Sequence, residues 1–238
     1  MRISPARSVS AAPTDSPIAR ALPRLAAYAA VAVGFALVLV QLGQDSLWSD
    51  EIVTARISRQ SLAGLWRGVL SDPNHFPLYY LLQWLFTFAG TSEWGLRLPS
   101  AFAATAGIAA AFWLGRELLD ERAGLAAAAL LATHPAHLWA GQEARYYALV
   151  GLAAALSAAG LLSLVRQPRP RAAVAFVLGT LAGLYTHFFC FVMAAVEAAY
   201  CAGTLLLGHR KGLTRQSRWL PACGTAVALL SLPLVPYV

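Results

Sequence analysis

The chain has 238 residues, of which 58% are hydrophobic and only 12% charged, with a formal net charge of +7. A soluble domain carries about 25% charged residues, so this composition excludes an ordinary soluble globule and implies a polytopic membrane protein. The basic excess lies in short clusters between apolar runs without interleaved aromatics, as in cytoplasmic loops under the positive-inside rule, and this argues against a nucleic-acid partner.

Residues 1–24 are rich in Ser, Pro and Ala, with Arg2, Arg7, Arg20 and Arg24 against Asp15, and predict a disordered cytoplasmic tail. The apolar run 25–42 is longer than a signal-peptide core and has no small-x-small cleavage site, which predicts an uncleaved first span. A polar stretch, 44–74, opens with Leu47-Trp48-Ser49-Asp50-Glu51. The segment His75–Phe88 then stays apolar for about fourteen residues, a helix of roughly 21 Å against a hydrocarbon core of about 30 Å. Its Trp, Tyr and Phe favour the headgroup level, so it predicts an in-plane helix. Further spans are expected at 98–114, 123–140 and 146–165. The run 172–207 has room for two, with a turn near Tyr185-Thr186-His187, and a last span begins at Trp219.

Orientation tests the in-plane assignment. With the N-terminus inside, the basic loops Arg116–Arg122, Arg166–Arg171 and Arg210–Arg218 are all cytoplasmic, and region 44–97, the Glu143 loop and the His187 turn are all external. If His75–Phe88 crossed instead, the loops at Arg166 and Arg210 would move outside, and Asp50 and Glu143 would lie on opposite faces. The expected fold is therefore an all-α polytopic membrane module, residues 25–238, with about seven spans and in-plane helices in its first external loop. The apolar end just after Pro236 reads as a chain truncated at its C-terminus.

Asp50, Glu51 and Glu143 gather the chemistry. A carboxylate costs about 2.5–3.5 kcal/mol at the bilayer centre, so acids flanking spans are candidates for function as well as for plain solvation. Facing each other outside a membrane, they can take a proton as general base or hold a divalent cation, and Arg145 can bind phosphate oxygens with its planar fork. Trp48, Tyr79, Tyr80, Trp84, Tyr146 and Tyr147 are candidates to line a groove for an amphipathic lipid. His75 and His187 are candidates for the same cavity. His134 and His137 have a metal-compatible spacing, but Pro135 breaks the helix between them and no third ligand is evident. Glu197 lies within a span and is expected to face the bundle interior with a polar partner. Cys190, Cys201 and Cys223 read as small buried hydrophobes.

The order of several short motifs resembles bacterial glycosyltransferase family 39 proteins, the protein mannosyltransferase-like branch of the C-type (GT-C) superfamily. The pieces are Leu47-Trp48-Ser49-Asp50-Glu51, Asn74-His75-Phe76-Pro77-Leu78-Tyr79-Tyr80, Ser92-Glu93-Trp94-Gly95-Leu96-Arg97-Leu98-Pro99, Gly115-Arg116-Glu117-Leu118, Gln142-Glu143-Ala144-Arg145-Tyr146-Tyr147 and Tyr185-Thr186-His187-Phe188-Phe189. The resemblance implies a GT-C transmembrane module that transfers a sugar, with inversion, from a polyprenyl-phosphate donor at the outer face of the cytoplasmic membrane. Its acceptor is a lipid, glycan or protein. By position it implies Asp50 as general base beside Glu51, Glu143 as a second-loop acid that positions acceptor or metal, and Arg145 as partner of the donor phosphate. His75, Tyr146 and His187 complete the expected substrate-binding set, and a divalent cation, Mg or Mn, stays an open cofactor. The rival class is a lipid or solute transporter or a scaffold; a transporter favours polar groups near the midplane, where only Glu197 fits.

Overall fold

The computed structural model describes residues 17–71, 76–210 and 216–237. Among them are eleven α-helices and no strand: α1 (Pro17–Leu39), α2 (Ser49–Ser58), α3 (Leu62–Leu70), α4 (Pro77–Phe86), α5 (Glu93–Leu118), α6 (Glu121–Thr133), α7 (Pro135–Gly141), α8 (Tyr147–Arg166), α9 (Pro170–Leu184), α10 (Phe189–Arg210) and α11 (Gln216–Ser231). Short 3-10 turns follow α4 and α11.

The first helix corrects the expected tail. Residues 1–16 lie outside the described residues, but Pro17–Arg24, expected to be disordered, already belongs to α1. Proline suits the first helical position because its missing N–H has no partner there, and the Ala, Leu and Arg that follow are strong helix formers.

Local signals account for the other starts and breaks. Ser61, Ser92 and Asp120 accept the backbone N–H groups of Gly64, Gly95 and Ala123, capping α3, α5 and α6. Pro135 holds His134 in extended backbone, φ −72° and ψ 122°, so the run expected as one span over 123–140 is divided into α6 and α7. The chain leaves α1 through Gln41 at a positive φ of 69°. There the Gln142 amide donates to the carbonyls of Val38 (3.2 Å) and Val40 (2.7 Å), satisfying open acceptors of the helix end.

Helix α5 is the centre of the bundle, packed against α1, α4, α6, α7 and α8, while α9 joins α8 to α10 and α11. Its core contact gathers Val38, Leu42, Tyr79, Leu98, Ala101, Ala104, Ala148 and Leu149. Small residues let α8 and α9 approach closely. A Cβ added at Gly160 would lie 2.5 Å from the Phe176 nitrogen, and one at Gly179 would lie 2.6 Å from that of Ser157.

Three helices, α5, α8 and the Phe189–Leu207 part of α10, are long and apolar enough to cross a membrane; Leu25–Leu39, Pro170–Leu184 and Trp219–Leu234 are apolar but shorter. Glu197 is buried where α8, α9 and α10 meet, and it accepts hydrogen bonds from Ser157 and from Thr180 (3.0 Å). This is the polar partnership expected for an acid inside a span. A cavity of about 470 Å³ between α9, α10 and α11 is lined by Phe176, Leu184, Phe191, Leu205 and Val227, with Glu197 on its wall.

Candidate active site

Two connections meet at the start of α5: the segment that opens α2, and the loop from Gln142 to Tyr146 between α7 and α8. What joins them is Glu51. It is fully buried and accepts hydrogen bonds from the Ala144 N–H (2.6 Å), from the Trp48 N–H (3.3 Å), and from Arg97 through Nε (3.0 Å) and Nη2 (2.8 Å). Arg97 also donates through Nη1 to the carbonyls of Leu42 and Asp45, each at 3.0 Å. A buried ion pair persists only when its remaining hydrogen-bonding capacity is met, and these contacts meet it. Ala144 lies between Glu143 and Arg145, so one carboxylate holds the second loop against the first.

Asp50 has a different environment. Its Oδ2 lies 3.3 Å from Arg145 Nη2, with the Asp50 side chain 44% exposed and the Arg145 side chain 11%. The Arg145 guanidinium sits over the Tyr146 ring, 4.8 Å from its centroid, a cation–π distance. The Nε of Arg145 is buried and has no hydrogen-bond partner among the described residues. The backbone of Arg145 is held as well, since the Ser100 hydroxyl donates to its carbonyl (2.9 Å) and contacts the Tyr79 hydroxyl (2.8 Å), which accepts from Gln83 (2.8 Å).

Glu143 accepts a hydrogen bond from the indole of Trp48. Burial pushes the Glu143 carboxyl above the usual carboxylate range, and the Trp48 hydrogen bond offsets part of that rise. The Tyr146 ring packs on that of His187 (4.6 Å between centroids) and on that of Tyr147 (4.9 Å). His187 Nδ1 accepts the Phe189 N–H at 3.2 Å, so the neutral ring carries its proton on Nε2. Burial, with the Arg145 charge second, lowers its proton affinity.

Asp50, Glu51, Glu143, Arg145, Tyr146 and His187 thus form one constellation, although three separate parts of the chain supply them. His75 lies outside the described residues. Of the expected groove residues, Tyr79 and Tyr80 point into the protein instead; Tyr79 joins the Ser100–Gln83 chain, and Tyr80 packs with Ile57, Leu65 and Val69. The Trp84 indole donates to the Gln60 carbonyl (3.1 Å). His134 is exposed, and His137 contacts the Ala104 carbonyl (3.1 Å). Among the described residues no three His, Cys, Asp or Glu side chains converge as a metal site.

Sequence reasoning assigned no role to Arg97. The signal was present: an arginine between Leu96 and Leu98 at the start of a span must find a carboxylate if it is buried. The choice of Glu51 over Asp50 depends on side-chain direction, which a motif does not carry.

The family described as dolichyl-phosphate-mannose-protein mannosyltransferase matches residues 73–237. That stretch contains Arg97, Glu143, Arg145, Tyr146 and His187, and it begins after Asp50 and Glu51. No curated protein and no solved structure matches the chain. The family agrees with the resemblance carried by the sequence motifs.

Proposed function

As the chain belongs to the dolichyl-phosphate-mannose-protein mannosyltransferase family, we propose that this membrane glycosyltransferase moves a sugar from a polyprenyl-phosphate donor to an acceptor hydroxyl or amine, inverting the anomeric carbon, with Asp50 as general base. The observation that carries the proposal is the Asp50–Arg145 pair at 3.3 Å. It sets a partly exposed carboxylate beside a guanidinium on two loops joined through Glu51, and this supports reading Arg145 as the partner of the donor phosphate.

In the proposed step the acceptor atom attacks the anomeric carbon and its proton passes to Asp50. The bond from anomeric carbon to phosphate oxygen breaks with its electron pair on the oxygen, and polyprenyl phosphate departs. A phosphate needs no general acid to leave, so stabilising its charge is the larger task, and Arg145 is assigned to it. Glu51 is a positioning residue: its carboxylate is saturated by Arg97, Ala144 and Trp48 and has no access to a substrate. Glu143 and the Tyr146–His187 pair border the site on the acceptor or sugar side. A divalent cation, if one takes part, has Asp50 and Glu143 as its available carboxylates and would add charge stabilisation at the phosphate.

The remaining parts of the proposal concern the membrane. Helices α1, α5, α6 with α7, α8, α9, α10 and α11 make the about seven crossings expected, with α2, α3 and α4 in the external loop and the site at the outer face of the cytoplasmic membrane. The apolar cavity between α9, α10 and α11 suits hydrocarbon and supports a lipid-borne substrate.

The test is release of polyprenyl phosphate from labelled polyprenyl-phosphate sugars in vesicles holding this chain or its Asp50→Asn variant. Donor binding should persist in the variant while release falls by about 10²–10⁴-fold, the range for loss of a general base. Equal release from both proteins would refute the assignment of Asp50.

A further inference from the structure

Adjacent acids on α2 hold two arginines in contrasting ways. Glu51 grips Arg97 with two hydrogen bonds, at 3.0 and 2.8 Å, in a fully buried site. Asp50 meets Arg145 through one contact at 3.3 Å, and its own side chain is 44% exposed. Charge-assisted hydrogen bonds run at about 2.7–2.9 Å and are strongest as paired forks. The first pair is therefore a fastening, and the second is a loose contact between a largely buried guanidinium and a carboxylate that water already reaches.

Arg145 is also incompletely used. Its Nε is buried and unpartnered among the described residues, an arrangement that leaves a donor unsatisfied at a cost. The backbone is pinned by Ser100 and the guanidinium stacks on Tyr146, so its plane is set while its Nε stays open. A phosphate monoanion with two terminal oxygens fits a planar fork better than one carboxylate oxygen at 3.3 Å does.

We propose that Asp50 and Arg145 form a latch that donor phosphate opens: Arg145 transfers its contact from the Asp50 carboxylate to the phosphate, and Asp50 is thereby released to accept the acceptor's proton. This rests on the assignment of Arg145 to the donor phosphate made above and adds a regulation to it. Before donor loads, one oxygen of the carboxylate is engaged by its own cation. After donor loads, Arg145 faces the phosphate and the lone pair on Asp50 faces the substrates. The latch ties release of the base to donor binding. During transfer the proton moves from acceptor to Asp50, and the electron pair of the broken C–O bond moves to the phosphate oxygen held by Arg145. Once Asp50 has given that proton to water and polyprenyl phosphate has left, Arg145 returns to the Asp50 carboxylate.

The latch makes Asp50 a competitor of the phosphate, which a merely structural acid is not. The experiment measures binding of a polyprenyl monophosphate to the chain in zwitterionic-lipid nanodiscs, for wild type, Asp50→Asn, Arg145→Gln and the double variant, with thermal melting of each. Asp50→Asn should bind about two- to fivefold more tightly than wild type, the scale of one exposed ion pair. Arg145→Gln should bind about ten- to a hundredfold more weakly, as for a lost hydrogen bond to a charged group, and the Asp50→Asn gain should vanish on that background. If Asp50→Asn binds no more tightly while Arg145→Gln is weakened, the latch is overturned and the phosphate site stands. If Arg145→Gln binds like wild type, the phosphate assignment itself fails and the latch with it. Should Arg145→Gln melt as an unfolded protein, Arg145→Lys replaces it: retained binding with no added gain from Asp50→Asn would again overturn the latch.

Discussion

Successive side chains on an α-helix point about 100° apart, and at the start of α2 that rotation separates two acids of one motif. Glu51 turns inward to Arg97 and Ala144, and Asp50 turns outward to Arg145. Glu143, in the facing loop, is a proposed site residue whose burial bears on stability. Its proton affinity is raised in the fold, first by burial, so the native state favours the protonated form more than the unfolded chain does. The sign follows: Glu143 contributes stability that is full below the ordinary carboxylate range and is lost as pH rises through its raised value, leaving the ionised group a cost at neutral pH. Glu143→Gln keeps an acceptor for the Trp48 indole and removes that cost. Melting in detergent at pH 7.5 should rise, with the gain shrinking toward pH 4.5 and sugar transfer falling. A variant that melts lower at pH 7.5 would show that the ionised carboxylate is stabilising there.

At the scale of elements, the α8–α9 contact illustrates how a membrane bundle packs when lipid tails are as apolar as leucine: backbone proximity replaces hydrophobic contrast. Gly160 and Gly179 permit that approach, whereas a Cβ at Gly203 in α10 meets nothing within 4 Å. Gly179→Leu is expected to lower stability by about 1–3 kcal/mol or more through overpacking. Gly203→Ala should be neutral or stabilise by up to about 1 kcal/mol through helix propensity. Thermal melting in one detergent compares the two, and equal behaviour would contradict the close crossing. The helix breaks were legible beforehand where local chemistry dictates them, as at Pro135 and at the turn near His187. The short helices α2 and α3 were not resolved within the polar stretch 44–74: α2 is not an apolar run, α3 is apolar but only nine residues long, and their packing against α4 is what buries one face of each.

For the whole molecule, contacts between distant residues bring the proposed external loops together. Glu51 reaches Arg97 across 46 positions and Ala144 across 93, and Tyr146 meets the turn between α9 and α10 at His187. Loops that touch in this way must share one side of the membrane. In a background with Cys190, Cys201 and Cys223 replaced by alanine, Leu62→Cys and Phe188→Cys, both exposed, should react with an impermeant thiol reagent added to intact cells. Leu119→Cys, exposed between α5 and α6, should react only after permeabilisation. Labelling of Leu119→Cys in intact cells would overturn the proposed orientation.

The membrane class, the succession of apolar helices and the candidate acids were determined by the sequence alone, because run length, apolar content and breaker residues act over a few turns of chain. The start of α1 escaped that reading because a polar, proline-containing composition does not forbid a helix that a first-turn proline can open. Only the tertiary structure decided which acid is buried and fully hydrogen-bonded and which is partly exposed, that Arg97 pairs with Glu51, and that Tyr79 and Tyr80 face inward. Those outcomes depend on which face of each helix is buried against which neighbour, and a carboxylate becomes a clamp or a candidate base according to the partners that packing brings within hydrogen-bonding distance.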